Sequence, residues 1–270
     1  ITRPAALVVG NPVFEAYALH AARARGIPTV LLQHGLLGDF CQFSDPPVDH
    51  YVVRGEFWRD FLAAAPRSRA QVLEPPRQSP AAARHANRGK AILFLTAPYG
   101  SQPFYHPNDL ADILRTLLTA AAAGNRELII RVHPQEDVGF YQRLVKRLGE
   151  ACARPSRVTY SRGAGLEATL GRTAVAVTFA STVFLDCLRL HIPIVSFGWH
   201  HFAYKRPIEA HGVFHFAEDL AGLSALVHRA VRGELPPYSQ DTKPFLADTP
   251  ETTLRSKLAR LVRAPEAQPT

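Results

Sequence analysis

Glu127-Leu128-Ile129-Ile130-Arg131-Val132-His133-Pro134 reads as a buried β-strand that ends on a histidine and a proline. The run is apolar, β-branched and of strand length, and Pro134 has no N–H to continue a ladder. On its N-terminal side, residues 109–123 have helical spacing and stop at Gly124-Asn125. Before them, Ala91-Ile-Leu-Phe-Leu-Thr96 is another strand. On the C-terminal side the spacing predicts helices over 138–151, 165–170, 182–190, 220–232 and 252–262, and strands over 158–160, 175–178 and 194–197. Strand and helix alternate, which predicts a parallel, doubly wound sheet.

The N-terminal part repeats the pattern. Ala5-Ala-Leu-Val-Val9 is a short strand, 13–25 a helix stopped by Gly26, and Pro28-Thr-Val-Leu-Leu-Gln33 the next strand. That βαβ unit implies parallel strands. Two further strands, 50–53 and 70–73, flank a helix over 56–65. Pro75, Pro76 and Pro80 then interrupt all periodicity. The expected organisation is a first Rossmann-like unit over 1–74, a linker over 75–90, a second Rossmann-like unit over 91–262, and a disordered tail over 263–270. The fold class is α/β.

Hydrophobic residues make up 47% of the 270-residue chain and charged residues 20%, enough apolar material for a core. No apolar run reaches the roughly 18–20 residues of a membrane span. Lys plus Arg number 31 against 23 Asp plus Glu, a net charge of +8, so the surface attracts anions such as phosphates or acidic headgroups. The positive charge is spread along the chain, without a basic block, and nucleic acid is not an expected partner. Cys41, Cys152 and Cys187 form no C-x-x-C pair, which argues against a disulfide framework or a zinc site and for a reducing, cytoplasmic compartment. The sequence starts at Ile1, holds no Met and shows no signal peptide, and reads as a piece of a longer protein.

In a parallel α/β sheet, ligands lie outside the carboxyl ends of the strands. The candidate site residues are those that follow each strand. Gln33-His34-Gly35 places a histidine at a strand end, with a glycine that lets a ligand approach the backbone. Tyr99 follows the strand 91–96. Arg131 and His133 alternate onto one side of their strand, two donors suited to a phosphate, with Pro134 fixing the turn. Ser181 and Thr182 open a helix, where a hydroxyl serves either as an N-cap or as part of an anion site. Asp186 follows on the same helix, on a face that is otherwise apolar and where a carboxylate needs partners.

His191, His200, His201, His211 and His215 are dense enough to raise a metal site. No carboxylate or cysteine accompanies them at ligand spacing, so they are expected to be loop histidines, and neither a metal nor a cofactor is expected. The P-loop, the G-x-G-x-x-G fingerprint and G-x-S-x-G are all absent, which removes the main support for ATPase, dehydrogenase and serine-hydrolase readings.

Taken in order, Gln33-His34-Gly35, Ile130-Arg-Val-His-Pro134 and Ser181-Thr-Val-Phe-Leu-Asp186 followed by Ile192-Pro-Ile-Val195 resemble the strand-end motifs of GT-B glycosyltransferases of bacterial surface polysaccharide assembly. The relatives in view are capsule polysaccharide synthesis proteins (β-Kdo transferases), polysialyltransferases and the glycerophosphotransferases of teichoic acid synthesis. The resemblance spans roughly residues 5–215. It implies two doubly wound domains, with the N-terminal one truncated. It assigns the donor phosphate to His133, Ser181 and Thr182. Asp186 stands where the family usually has a glutamate facing the donor ribose, one methylene longer. The family's base or nucleophile lies in the N-terminal domain. Asp39 and Asp45 lie in the corresponding loop, and His34 and Asp39 are the catalytic candidates.

The reading is a metal-independent, nucleotide-sugar-dependent glycosyltransferase. It moves a sugar, such as Kdo or sialic acid from a CMP donor, onto a bacterial surface polysaccharide or glycolipid. The protein is expected in the cytoplasm, with peripheral contact to the anionic inner membrane. The alternatives are a non-catalytic nucleotide-sugar-binding scaffold and a UDP-hexosamine 2-epimerase-like enzyme. Gln33-His34-Gly35 is compatible with the epimerase, whose usual acidic helix start is absent.

Overall fold

The computed structural model describes residues 4–10, 15–33, 48–63, 70–72, 89–97, 107–150, 152, 157–179, 181–197, 212–235, 255–257 and 259–260. The chain forms two compact units, Ile1–Ser79 together with Asp241–Thr270, and Pro80–Gln240. Residues 241–270 fall with the first unit, whereas the sequence reading places the helix 252–262 with the second. Periodicity identifies a helix but not the unit it packs on.

The first unit contains β1 (Leu7–Val9), α1 (Ala16–Ala24), β2 (Thr29–Leu32), β3 (His50–Val53), α2 (Glu56–Ala63) and β4 (Ala70–Val72). Among the described residues its four strands are parallel and lie in chain order, so this part of the sheet is wound in one direction. Leu19, Val30, Leu31, Val52, Val53 and Trp58 are buried. Asp49 accepts the N–H and the hydroxyl of Thr29, both at 2.8 Å, and fixes the start of β2 beside β3. At the other end, Gln33 donates its N–H to Val52 and accepts the Arg54 N–H on Oε1, both at 2.8 Å.

The second unit contains β5 (Ala91–Leu95), α3 (Pro107–Ala123), β6 (Leu128–Arg131), α4 (Val138–Leu148), β7 (Val158–Ser161), α5 (Leu166–Gly171), β8 (Thr173–Thr178), α6 (Val183–Arg189), β9 (Ile194–Phe197), β10 (His215–Ala217) and α7 (Leu220–Arg232). All strands are parallel, in the order β10-β9-β8-β5-β6-β7. The chain winds from β5 out through β6 to β7, returns to β8 on the other side of β5, and winds out again. The topological switch therefore lies between β5 and β8, where open α/β sheets bind ligands.

Ile92, Phe94, Leu128, Ile130, Val175 and Val177 from the central strands pack with Leu114, Leu117, Tyr141 and Val227 of α3, α4 and α7. Each such side chain contributes about 1.5–3 kcal/mol by leaving water. The approach to β5 is tight. A Cβ on Gly89 would lie 2.1 Å from the Arg172 carbonyl carbon, so only glycine fits where the chain passes the start of β8. Asp137 caps α4, accepting the N–H groups of Gly139 and Phe140 at 2.9 Å, and Gly233 ends α7 at φ 75°.

The sequence reading leaves β10 out. This strand has three residues, and β9 is its only pairing partner among the described residues. A segment that short carries no period of its own. His215 therefore belongs to a strand rather than to the loop expected for it. Burial, and then the nearby charge of Arg229, hold its imidazole below the usual histidine range. Cys152 and Cys187 are free thiols, and burial pushes Cys187 far above the ordinary thiol range. No helix among the described residues is long and apolar enough to cross a membrane.

Candidate functional site

The carboxyl edge of the second sheet is organised by its register. Arg131 pairs with Ser161 and with Leu95, Leu95 with Thr178, and Thr178 with Ser196. Directly paired residues share a face, so Ser161, Arg131, Leu95, Thr178 and Ser196 form one row across five strands. Four of the five are polar, at or near the ends of strands whose central members, β5, β6 and β9, are otherwise apolar. Ser196 donates to the Phe179 carbonyl at 3.4 Å. The Thr178 hydroxyl is buried and finds no hydrogen-bond partner among the described residues.

His133 lies two residues beyond Arg131, in a turn closed by the Glu136 N–H donating to the His133 carbonyl at 2.9 Å. Pro134 occupies the second position of that turn, where its fixed φ suits the geometry. The His133 N–H donates to the Thr96 hydroxyl at 2.8 Å, across from the end of β5. Its ring Nδ1 accepts the Gln135 N–H at 3.2 Å, which places the proton of the neutral ring on Nε2. Thr96 in turn donates to Glu136 Oε2, and Tyr141 donates to Glu136 Oε1 at 2.8 Å. Arg162 reaches across from the loop after β7 to the Pro134 carbonyl.

Arg131 is placed differently from the pair of aligned donors that alternation suggests. Its guanidinium runs along the sheet edge, donating to the Gly163 carbonyl and, at 3.5 Å, to Ser161 Oγ. Burial lowers its pKa. Part of its donor fork thus holds the β7 loop, where Gly163 and Gly165 take φ of 67° and 80°.

Ser181 and Thr182 stand at the start of α6, after β8. Thr182 occupies the N-cap position and makes no side-chain capping bond. The expected cap is supplied by Ser181 one residue earlier, whose Oγ accepts the Val183 N–H at 3.3 Å. Both hydroxyls are half-buried. Asp186 is half-buried in the first turn, 3.9 Å from Arg189. The apolar side of α6, with Phe184, Leu185 and Leu188, is buried.

The structure thus brings Arg131, His133 and Pro134 together at the end of β6, and Ser181, Thr182 and Asp186 after β8. β5 separates the two groups, and the switch point lies between them. His34, Gly35, Asp39, Asp45 and Tyr99 lie outside the described residues, as do His200, His201 and His211. Among the described residues, no group of three or more His, Cys, Asp or Glu is placed to hold a metal ion. Thr96, Glu136 and Tyr141 are the residues that sequence reasoning misses. Thr96 reads as the last residue of a strand, and Tyr141 falls on the apolar stripe of α4 with Leu144 and Leu148.

Residues 95–205 match the model of a family described as capsule polysaccharide biosynthesis protein. No curated protein matches at a significant level. Among solved structures, Staphylococcus aureus TarM, as a mutant in complex with fondaparinux, alpha-GlcNAc-glycerol and UDP, superposes with a TM-score of 0.62 at 9% identity, over 94% of this chain and 54% of that one. The pneumococcal O-GlcNAc transferase GtfA, in complex with UDP and GlcNAc, gives 0.56 at 10% identity, over 92% and 54%. The UDP-GlcNAc 2-epimerase from Neisseria meningitidis, bound to UDP-GlcNAc, gives 0.64 at 11% identity, over 97% and 77%. The chain spans about half the length of the first two proteins. The chain therefore has a fold of the GT-B type, and its turn at His133 and helix start at Ser181 lie in a segment similar to capsule polysaccharide biosynthesis proteins.

Proposed function

We propose that the second unit binds a nucleotide sugar at the carboxyl edge of its sheet, and that the chain is part of a glycosyltransferase acting on a bacterial surface polysaccharide or glycolipid. One observation carries this reading. His133, in the turn after β6, and Ser181, Thr182 and Asp186, at the start of α6 after β8, lie on the two sides of the topological switch, and all four fall inside the segment that matches the capsule family. The donor assigned is a CMP-activated sugar, Kdo or sialic acid, as the motif resemblance implies. Arg131, Pro134, Gly35 and Tyr99 complete the proposed donor set.

Glycosyl transfer needs the leaving phosphate stabilised as negative charge develops on it. His133, with its proton on Nε2, and the hydroxyls of Ser181 and Thr182 are donors of the kind that does this. Asp186 is an acceptor for the donor's ribose hydroxyls. His34 and Asp39 are the candidates for the acid–base or nucleophile step on the acceptor side, and Asp39 is the carboxylate that would deprotonate an acceptor hydroxyl. The chemistry so assigned requires no metal. Peripheral attachment to an anionic membrane fits the +8 net charge and a lipid-linked acceptor.

A thermal-shift screen with CMP, CDP, UDP and GDP tests the site. A nucleotide at 100 times its Kd adds about 2.7 kcal/mol, and no stabilisation by any of the four sinks the reading. The likeness to the Neisseria meningitidis enzyme favours one second reading, an epimerase. With the full-length protein, release of CMP or UDP that depends on an acceptor glycan supports transfer. Conversion of UDP-GlcNAc at C2 without an acceptor supports the epimerase. Binding without turnover supports a scaffold.

A further inference from the structure

A carboxylate beside a proposed phosphate site needs a reason, because a like charge near an anion weakens its binding. Glu136 is such a group. It lies three residues from His133 and is hydrogen-bonded to the residue that holds His133 in place.

The hydrogen bonds give the reason. The Thr96 hydroxyl has one proton and two lone pairs, whereas a carboxylate only accepts. Glu136 Oε2 therefore accepts the hydrogen bond of the Thr96 hydroxyl, which leaves a Thr96 lone pair for the His133 N–H at 2.8 Å. Glu136 Oε1 is held by the Tyr141 hydroxyl at 2.8 Å, and the Tyr141 side chain is fully buried on α4. The Glu136 N–H closes the turn onto the His133 carbonyl, and the Gln135 N–H occupies Nδ1. The bonds therefore run in one direction, from two hydroxyls into the carboxylate and from His133 into Thr96. An amide at position 136 keeps only one acceptor oxygen, so one of the two bonds must reverse, with the amide NH₂ donating to the Thr96 or the Tyr141 hydroxyl.

We propose that Tyr141, Glu136 and Thr96 form a positioning relay that fixes the turn of His133 and the Nε2–H tautomer of its ring, so that Glu136 strengthens anion binding without touching the anion. The proposal rests on the reading of His133 as a donor-phosphate residue. It makes a prediction opposite in sign to simple electrostatics. Removing a negative charge near a phosphate should tighten binding, whereas breaking the relay should weaken it.

The test uses the whole chain and the nucleotide among CMP, CDP, UDP and GDP that stabilises the wild type most. Glu136→Gln and Thr96→Val should each weaken its affinity by about tenfold, the scale of one charge-assisted bond. Thr96→Ser, which keeps the hydroxyl, should restore affinity to within a few-fold of wild type. The double variant Glu136→Gln/Thr96→Val should lose no more than the worse single one, because the two act in one chain of bonds. A second readout needs no ligand. Long-range ¹H–¹⁵N spectra of the His133 ring should show the Nε2–H tautomer in the wild type and in Thr96→Ser, and a mixture in Thr96→Val. Tighter or unchanged binding by Glu136→Gln, additive losses in the double variant, or an unaltered His133 spectrum in a folded Thr96→Val each overturn the relay. If the wild type binds none of the four nucleotides, the donor-site reading and the claim on anion binding fail together. The ring spectra then decide separately whether the relay fixes the tautomer.

Discussion

The backbone N–H of His133 donates to the side-chain hydroxyl of Thr96 at 2.8 Å, tying the turn after β6 to the end of β5. β5 lies at the centre of the sheet, beside the switch between β5 and β8. A turn held in this way can present a ring with little motion. The conformational entropy of ordering a donor is then largely spent on folding rather than on binding. This places the rigid half of the proposed donor site on the β5–β6 side. On the other side, the long bond from the Val183 N–H to Ser181 Oγ, at 3.3 Å, is the side-chain cap of α6 among the described residues, and Ser181 and Thr182 form the looser half.

His133→Ala should weaken nucleotide binding by about 10- to 150-fold, the loss of one charge-assisted bond of roughly 1.5–3 kcal/mol. The fold should survive, because the bonds that close the turn come from the backbone of residue 133. Isothermal titration beside circular dichroism separates the two effects. Collapse of the far-UV spectrum would make His133 a core residue and remove it from the site.

Ser181→Ala should cost less than the usual N-cap loss of about 1 kcal/mol, because the bond to the Val183 N–H is long at 3.3 Å. Its nucleotide affinity should fall by more than this stability change explains. Ser181→Gly is the control, since glycine caps a helix almost as well as serine and lacks the hydroxyl. Wild-type affinity in the glycine variant would take Ser181 out of the site.

Arg131→Lys keeps the charge and loses the fork that spans Ser161 and Gly163. The expected result is a local loosening on the order of 1 kcal/mol, read as faster amide hydrogen exchange in residues 161–165, with α3 and α7 unchanged. Unchanged exchange in that loop, with weaker nucleotide binding, would mean that Arg131 serves the ligand rather than the loop.

The sheet was legible from residues 127–134 because its central strands are apolar on both faces and bounded by Gly, Pro or Asn, which is what buried parallel strands require. The turn at His133 was legible for the same local reason, since Pro134 follows a strand-terminal polar residue. What fastens that turn was not legible. Thr96 and His133 are 37 residues apart, and only the β5–β6 pairing brings them together. Glu136 carries no signal beyond being polar near a helix start. The direction of the Arg131 side chain was also hidden, because alternation gives the side of the strand but not the partner a long side chain will find. β10 was out of reach because its three residues are recognisable only once β9 is in place.

Glu127, just before β6, gives a pH prediction. Its burial alone would raise its pKa, but the hydrogen bonds from Arg172 and Thr159, with the charges of Arg172 and Arg157, outweigh that and hold it below its ordinary value. A depressed carboxyl pKa means that the unfolded chain takes up the proton first as pH falls. The stabilisation is therefore complete above the ordinary carboxylate range and is lost as pH drops through the lower, folded value. Glu127→Gln should melt at a lower temperature than the wild type at neutral pH, and the gap should close in acid. A gap that stays constant, or widens, as pH falls would show that the carboxylate's charge is not what stabilises the start of β6.

The final prediction concerns metal. The groups assigned to the phosphate are the His133 Nε2–H and the hydroxyls of Ser181 and Thr182, with Arg131 beside them. These are donors or positive charges, and they suit an anion directly. A site that works through Mg²⁺ instead gathers carboxylate oxygens, which coordinate the ion alongside the substrate phosphates. The carboxylates near these groups are Asp186, whose neighbour Arg189 lies 3.9 Å away and disfavours a cation, and Glu136, whose oxygens accept the Thr96 and Tyr141 hydroxyls. Nucleotide affinity should therefore be the same in EDTA as in Mg²⁺, and acceptor-dependent release of nucleotide by the full-length protein should survive chelation. Titration of the same nucleotide in both buffers is the direct measurement. A loss in EDTA that Mg²⁺ or Mn²⁺ restores would place a cation between the phosphate and this chain, and His133 would have to be reassigned from phosphate donor to metal ligand.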